Sequence, residues 1–223
     1  MVRDRGSETE LVVNELYASV QGEGTRAGQP CMFVRLTGCG LRCRWCDTAY
    51  AFYEGQRRPL DEVVSEVLAS GIEFVLLTGG EPLEQPGCLN LAKALCDAGR
   101  TVAVETGGHV DTSALDPRVT RILDVKCPGS KMAKRNRPEE LDSLRATDEV
   151  KFVVADRADF DFAREVIARH GLAERGCALL FSPVHGELEP AELATWLLED
   201  PLPSARLNLQ LHKLIWPRAE RGV

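Results

Sequence analysis

Apolar positions along the chain alternate between two rhythms, short continuous runs and helical spacing, and the change recurs from one end to the other. The first stretches, residues 11–20 and 31–37, mix β-branched and apolar residues and predict strands. Leu60, Val63, Val64, Val67 and Leu68 then repeat at helical spacing after Pro59 and stop at Gly71. Residues 74–78 form a short unbroken apolar run of the kind a strand buried on both faces shows. The cycle continues with a helix over 88–98 ended by Gly99, a strand over 101–105 and a strand over 119–125. It closes with a helix from 138 to about 145, strand 149–154, helix 158–170, strand 177–181, helix 190–198 and strand 206–211.

Alternation of this kind belongs to an α/β fold with about six parallel strands joined by right-handed helical crossovers. A closed eight-unit barrel takes about 250 residues, so 223 residues predict a partial, open βα barrel in a single domain, 1–223. Glycine or polar breaks follow nearly every strand at its C-terminal end, the edge of a parallel sheet where ligands collect.

Composition narrows the classes. A net charge of −7 argues against a nucleic-acid surface, whose affinity comes from neutralising phosphates. One local basic group, Lys131, Lys134, Arg135 and Arg137, reads as a solvated loop. No apolar run has the length of a membrane span, and Met1 to Arg5 opens in mixed charge without the apolar core of a signal peptide, so no membrane association and a cytoplasmic location are expected. Eight cysteines in a reducing compartment read as ligands where they cluster and as small buried apolar residues where they do not.

Three of them cluster. Cys39, Cys43 and Cys46 sit in one loop after the second strand, and thiolates so closely spaced wrap a single metal centre with a fourth position unassigned. On the thiols alone, a zinc site closed by a distant cysteine or histidine remains open. Arg35, inside the preceding strand, faces either solvent or an anion beside that loop. Gly79-Gly80-Glu81-Pro82 allows close backbone approach and offers a carboxylate for an ammonium group, although Gly-Gly after a strand also makes an ordinary turn. Glu105 ends the next strand as a ligand-gripping or turn residue, and Asp124 with Lys126 reads equally as a site pair or an internal ion pair.

The cysteine spacing, with Trp45 before the last thiol and the later GGEP break, resembles the signature of radical S-adenosylmethionine (SAM) enzymes. Ser19 to Gly24, Phe33 to Cys39, Trp45 to Thr48 and Gln210 to Lys213 are together similar to one narrower family, the 7-carboxy-7-deazaguanine synthases, from about Glu15 to the C-terminus. That resemblance implies a radical SAM fold and a ring contraction of 6-carboxy-5,6,7,8-tetrahydropterin with loss of ammonia, SAM acting as a cofactor. It implies a [4Fe-4S] cluster on Cys39, Cys43 and Cys46, and SAM lined by Trp45, Cys46, Asp47, Gly80, the segment Asp124, Val125, Lys126 and the segment Ser182, Pro183, Val184, His185. The pterin would meet Val20, Gln21, Gly22, Arg35, Thr78 and Glu105, with Mg2+ at Thr48, whose other role is a loop hydrogen bond. An electron donor such as flavodoxin and a homodimer are implied as well. Asp124-Val125-Lys126 stands where Ser-Pro-Lys is common, and the residues after His212 vary in the family. Competing readings are an activase that makes a glycyl radical on a partner protein, and a non-catalytic metal-binding or electron-transfer module.

Overall fold

The computed structural model describes residues 6–219 and 221–223, so the expectation at Met1 to Arg5 lies outside the described residues. Nine strands form one open sheet in the order β3-β1-β2-β4-β5-β6-β7-β8-β9. They are β1 (Glu10–Val20), β2 (Pro30–Leu36), β3 (Gln56–Pro59), β4 (Phe74–Gly79), β5 (Thr101–Thr106), β6 (Thr120–Val125), β7 (Glu149–Val154), β8 (Ala178–Pro183) and β9 (Ala205–Leu207). From β2 onward every neighbouring pair is parallel. The helices are α1 (Leu60–Ala69), α2 (Gly87–Asp97), α3 (Pro138–Asp142), α4 (Arg157–His170), α5 (Pro190–Glu199) and α6 (Leu211–Ile215). Local chemistry sets their ends: the Asp156 carboxylate accepts from the Asp159 N–H at 2.9 Å to start α4, and Gly171 ends it in the left-handed region.

The open parallel sheet is the one the alternation predicts, and the differences lie at its margins. β1 runs antiparallel to both β2 and β3, a direction that apolar patterning does not encode. β3, Gln56-Arg57-Arg58-Pro59, carries no apolar residue and gives no pattern to find; it survives as an edge strand. The last strand is only three residues long: the Asn208 N–H still reaches the Phe181 carbonyl at 2.8 Å, its side chain turns to Ser182, and Leu211 begins α6. The helix expected from 138 to about 145 stops at Asp142.

Each strand has two faces, and they divide the molecule. Outward residues pack under the helices in two clusters, one around Val34, Val75, Leu77, Leu91 and Val104, the other around Val125, Phe152, Phe160 and Phe181. The inward face begins with an apolar plug of Cys31, Phe33, Phe74, Leu76, Ala103 and Ile122. Two residues further along, the same inward parity presents Arg35, Thr78, Glu105 and Asp124, joined by Lys151 of β7, so the barrel is oily below and polar at its C-terminal rim.

A separate ion pair secures the opposite end. Asp148, with a side chain wholly removed from solvent, accepts from Arg121 Nη2 at 2.7 Å and from Arg145 Nη2 at 2.7 Å. Burial pushes its carboxyl up, and the hydrogen bonds from Arg145 and Arg121 outweigh that and hold it below the usual range. Asp148→Asn is expected to destabilise the fold by about 3–5 kcal/mol, since it strands a buried guanidinium. Because the folded pKa is depressed, the deficit in urea melts should be full at neutral pH and shrink as pH falls through the carboxylate range. Equal melting midpoints at neutral pH would refute it.

Candidate active site

The cysteine loop leaves β2 beside the loop that leaves β4, and the two are stitched together. Gly80 donates to the Leu36 carbonyl at 3.1 Å and Glu81 donates to the Gly38 carbonyl at 2.7 Å. A Cβ on Gly80 would lie 2.2 Å from the Gly38 oxygen and 2.8 Å from the Cys39 Cβ, so only glycine lets the loops meet. Fully buried Gln85 ties the base of the loop, donating to Thr37 and Val12 carbonyls at 2.8 and 2.9 Å. Glu81 is also fully buried; its carboxylate accepts from Thr106 Oγ1 at 3.0 Å and from the amides of Gly107 at 2.8 Å and Leu83 at 3.2 Å. The carboxylate lies on the wall of the cavity described below, and it also holds the β4 and β5 loops together.

Cys39, Cys43 and Cys46 all line a single cavity of about 780 Å³. Burial pushes each thiol up, Cys39 to about 11, so filling the site with iron must displace protons. The Leu41 N–H donates to Cys39 Sγ at 3.3 Å, and the Lys126 ammonium works against burial at Cys43 and Cys46. Among the described residues, no three His, Cys, Asp or Glu side chains gather as they do round a single ion. The donor set is thus three soft thiols on one cavity wall, with an amide donor to one sulfur, which suits a cuboidal iron–sulfur cluster whose ligands stand apart. Trp45 lines the cavity too, with its ring over Gly129, where a Cβ would come within 3.1 Å, and Arg44 stacked on it at 4.8 Å.

Opposite the thiols stands the polar rim. Lys151, its side chain 7% exposed, lies 3.1 Å from Glu23 and 3.7 Å from Asp124 and pairs with Glu105. Burial works to deprotonate it, but the carboxylates of Glu105, Glu23 and Asp124 prevail and hold it well above the ordinary range, a permanent ammonium. Asp124 also pairs with Lys126 at 2.8 Å; there burial is again outweighed by the carboxylate, and Lys126 is pushed up to about 12. Thr78 donates to Glu105 at 3.3 Å. Arg35 points inward rather than to solvent: Nε binds Glu15 at 2.7 Å and Nη2 binds the Tyr17 hydroxyl at 2.9 Å.

The C-terminal segment closes the mouth. Leu211 donates to the Gly22 carbonyl at 3.0 Å, and a Cβ on Gly22 would meet His212 Nδ1 at 2.3 Å. Gln210 and Asn208 donate to the two oxygens of Glu23 at 3.0 and 3.1 Å, while Lys213 pairs with Asp47 at 3.0 Å. Burial would raise the Asp47 carboxyl, yet Lys213 and the Thr48 hydroxyl bring it down to about 2. Arg221 stacks on Tyr50 at 4.2 Å and pairs with Glu54 at 2.8 Å. Thr48 Oγ1 donates to Asp47 at 3.0 Å and lies on the cavity wall, so a hard cation there would find one protein hydroxyl and need its other oxygens from elsewhere.

The cavity brings together Val20, Gln21, Gly22, Arg35, Cys39, Cys43, Trp45, Cys46, Asp47, Thr48, Thr78, Gly80, Glu105, Asp124, Lys126, Pro183, Val184 and His185. Two sequence-predicted residues are not on its wall. Val125 follows Asp124 in a strand and therefore faces the other way, into the core under α4. Ser182 is buried and bound to Asn208 Nδ2 at 2.8 Å. The sequence reading gave no site role to Glu23, Lys151 or His212, although Glu23 and His212 fall within the motifs that carry the resemblance; a lysine inside a mostly apolar strand was the available signal for Lys151.

Comparison with known proteins agrees with this arrangement. Residues 33–127 match the Radical SAM superfamily, so the fold and the thiol loop define a radical SAM enzyme. The chain is 45% identical to the 7-carboxy-7-deazaguanine synthase of Chlorobaculum tepidum, covering 97% of this chain and 99% of that one. With the synthase of Koribacter versatilis the identity is 42%, over 96% of this chain and all (100%) of the relative. Among solved structures, QueE from Escherichia coli shares the fold at a TM-score of 0.74 and 21% identity, covering 90% of this chain and 94% of that one. The chain belongs to the 7-carboxy-7-deazaguanine synthase family.

Proposed function

We propose that this protein, acting as one domain, converts 6-carboxy-5,6,7,8-tetrahydropterin into 7-carboxy-7-deazaguanine with loss of ammonia, as a radical SAM lyase of 7-deazapurine biosynthesis. The observation that carries the reading is a single small-molecule cavity with three thiols on one wall and a ring of inward strand-end residues on the other, in a chain of this family. A cavity of that size suits a bicyclic substrate beside SAM better than the backbone of a partner protein, which weighs against the activase.

Cys39, Cys43 and Cys46 would hold the [4Fe-4S] cluster, and Trp45, Asp47, Gly80, Lys126 and the segment from Pro183 to His185 would line SAM. Together the cluster and SAM supply, when bound, a radical able to take a hydrogen atom from carbon. The chain's own residues do the positioning. The backbone of Val20, Gln21 and Gly22 meets the base edge, and Thr78 with Glu105 borders the ring. Arg35 has Nε bound to Glu15 and Nη2 bound to Tyr17 and lies on the cavity wall, so its remaining N–H donors would meet the substrate carboxylate, and Mg2+ held at the Thr48 hydroxyl would share the charge. The segment around Tyr50, Arg221 and Val223 covers the mouth and keeps water from the radical. We place the enzyme in the cytoplasm, as a homodimer served by a one-electron donor.

The test is anaerobic reconstitution with iron and sulfide, reduction, and incubation with SAM and the carboxytetrahydropterin, with mass spectrometry for the ring-contracted acid. A loaded, reduced protein that makes no deazapurine overturns the proposal. In the same assay Arg35→Ala should raise the apparent KM by about tenfold or more, the worth of one charge-assisted contact, while iron content stays at the wild-type level. Unchanged KM would mean that Arg35 serves Glu15 alone.

A further inference from the structure

Behind the wall of the cavity lies an imidazole that the function above leaves unused. Gly108, in the left-handed region at φ 66°, turns the chain just after β5, and its N–H donates to the Thr106 hydroxyl at 3.2 Å. The turn carries the His109 side chain, 3% exposed, into a slot between two carboxylates. Nε2 faces Glu84 Oε1 at 3.1 Å, and Nδ1 faces Glu81 Oε2 at 3.5 Å. Glycines let the slot close: a Cβ on Gly40 would lie 3.0 Å from Nε2, and one on Gly107 would lie 3.3 Å from Nδ1. The ring is therefore wedged between the cysteine loop and the loop after β5.

Among the described residues Nδ1 is buried without a hydrogen-bond partner, a costly arrangement for a polar atom in a native fold unless it serves something. It faces the oxygen of Glu81 on which the Thr106 hydroxyl and the Gly107 N–H already converge, at 3.0 and 2.8 Å. The other oxygen, Oε1, accepts from the Leu83 N–H at 3.2 Å and keeps acceptor capacity. Glu81 lines the cavity, whereas His109 and Glu84 stand behind it. Burial pushes the Glu81 carboxyl above its usual range, and His109 is the first of the neighbours that pull it back. A buried carboxylate gripped from behind at one oxygen is set to take a cation from the cavity at the other.

We propose that His109 is a positioning residue: anchored on Glu84 through Nε2, it steadies Glu81 by Oε2 through Nδ1, so that Oε1 is left for the ammonium group of SAM. The proposal rests on the radical SAM reading given above. His109 lies off the cavity wall, so it acts on the ligand only through Glu81.

The test is anaerobic calorimetry on the iron-loaded chain with two ligands, SAM and 5′-methylthioadenosine, which keeps the adenosine and the sulfur but has no ammonium group. His109→Leu should bind SAM about tenfold or more weakly, the worth of a hydrogen bond to a charged group, and bind methylthioadenosine as wild type does. Two conservative variants separate the ring nitrogens. His109→Asn keeps an N–H where Nδ1 stands and should restore most of the SAM affinity; His109→Gln keeps one where Nε2 stands and should restore little. Equal SAM affinity in wild type and His109→Leu would overturn the proposal, as would an equal loss for both ligands, the mark of a merely structural role. If His109→Leu loads less iron, the other two variants are compared at equal loading, and SAM held no better by His109→Asn than by His109→Gln is then the overturning result. Should wild type bind SAM yet make no deazapurine, the functional reading fails, while the affinities still judge His109.

Discussion

Lys151→Met is expected to cost about 3–5 kcal/mol of stability and to remove turnover, because it leaves Glu23, Glu105 and Asp124 facing one another with their shared cation gone. In the native protein the three carboxylates come from a loop and two strands, and the nearly buried ammonium is what lets them stand together on one cavity wall. Like charges so placed repel strongly at low effective dielectric. The pH dependence has a definite sign. Lys151 has a raised folded pKa, so its contribution is complete below the ordinary lysine value and is lost only as pH climbs through the higher folded one. In the variant the carboxylates are the groups that titrate, and acidification should narrow its deficit as they take up protons. Adding Glu105→Gln should restore part of the stability and little of the turnover, since Glu105 also borders the ring. Urea melts at several pH values, with product formation measured alongside, decide the matter; a variant melting within about 0.5 kcal/mol of wild type would show that Lys151 is a spectator.

Gly80→Ala should empty the cluster site. The added methyl would sit 2.2 Å from the Gly38 carbonyl oxygen and 2.8 Å from the Cys39 Cβ, and the first of these is backbone, which cannot swing away. Relief requires the β4 loop and the cysteine loop to part, taking Cys39 out of register with Cys43 and Cys46. A misplacement on the order of 1 Å is enough to lose about 10²-fold in rate. Iron and sulfide per chain after reconstitution should fall well below the wild-type level, with turnover down by at least that factor. Because the sheet and both outer core clusters are untouched, the circular dichroism spectrum should not change. Full iron loading in the variant would mean that the two loops need not meet.

How much of this was readable in advance differs element by element. Strands 74–78 and 149–154 and the helices after Pro59 and over 158–170 were legible because burial demands a repeating apolar pattern and helix ends demand particular residues. The thiol loop and the GGEP break were legible because their chemistry needs residue types at fixed short spacings. The pairing of Glu23 with Lys151 was not, since the two are 128 residues apart and only the fold brings them to 3.1 Å. Val125 was placed with SAM by resemblance although the predicted strand 119–125 already contained it, and alternation of faces along that strand turns its side chain into the core.

The chain by itself determined the open parallel sheet, the metal-binding loop and the rim on which ligands collect, because each depends on residues close in sequence: apolar period, glycine at a close approach, three sulfurs in eight residues. Only the tertiary structure decided which charges neutralise one another, that Glu81 is buried and bonded to Thr106 and Gly107, that β1 runs antiparallel, and that the C-terminal segment lines the cavity. Those outcomes depend on how groups that the chain keeps far apart meet in space, because Coulomb and hydrogen-bond energies are set by distance, angle and burial.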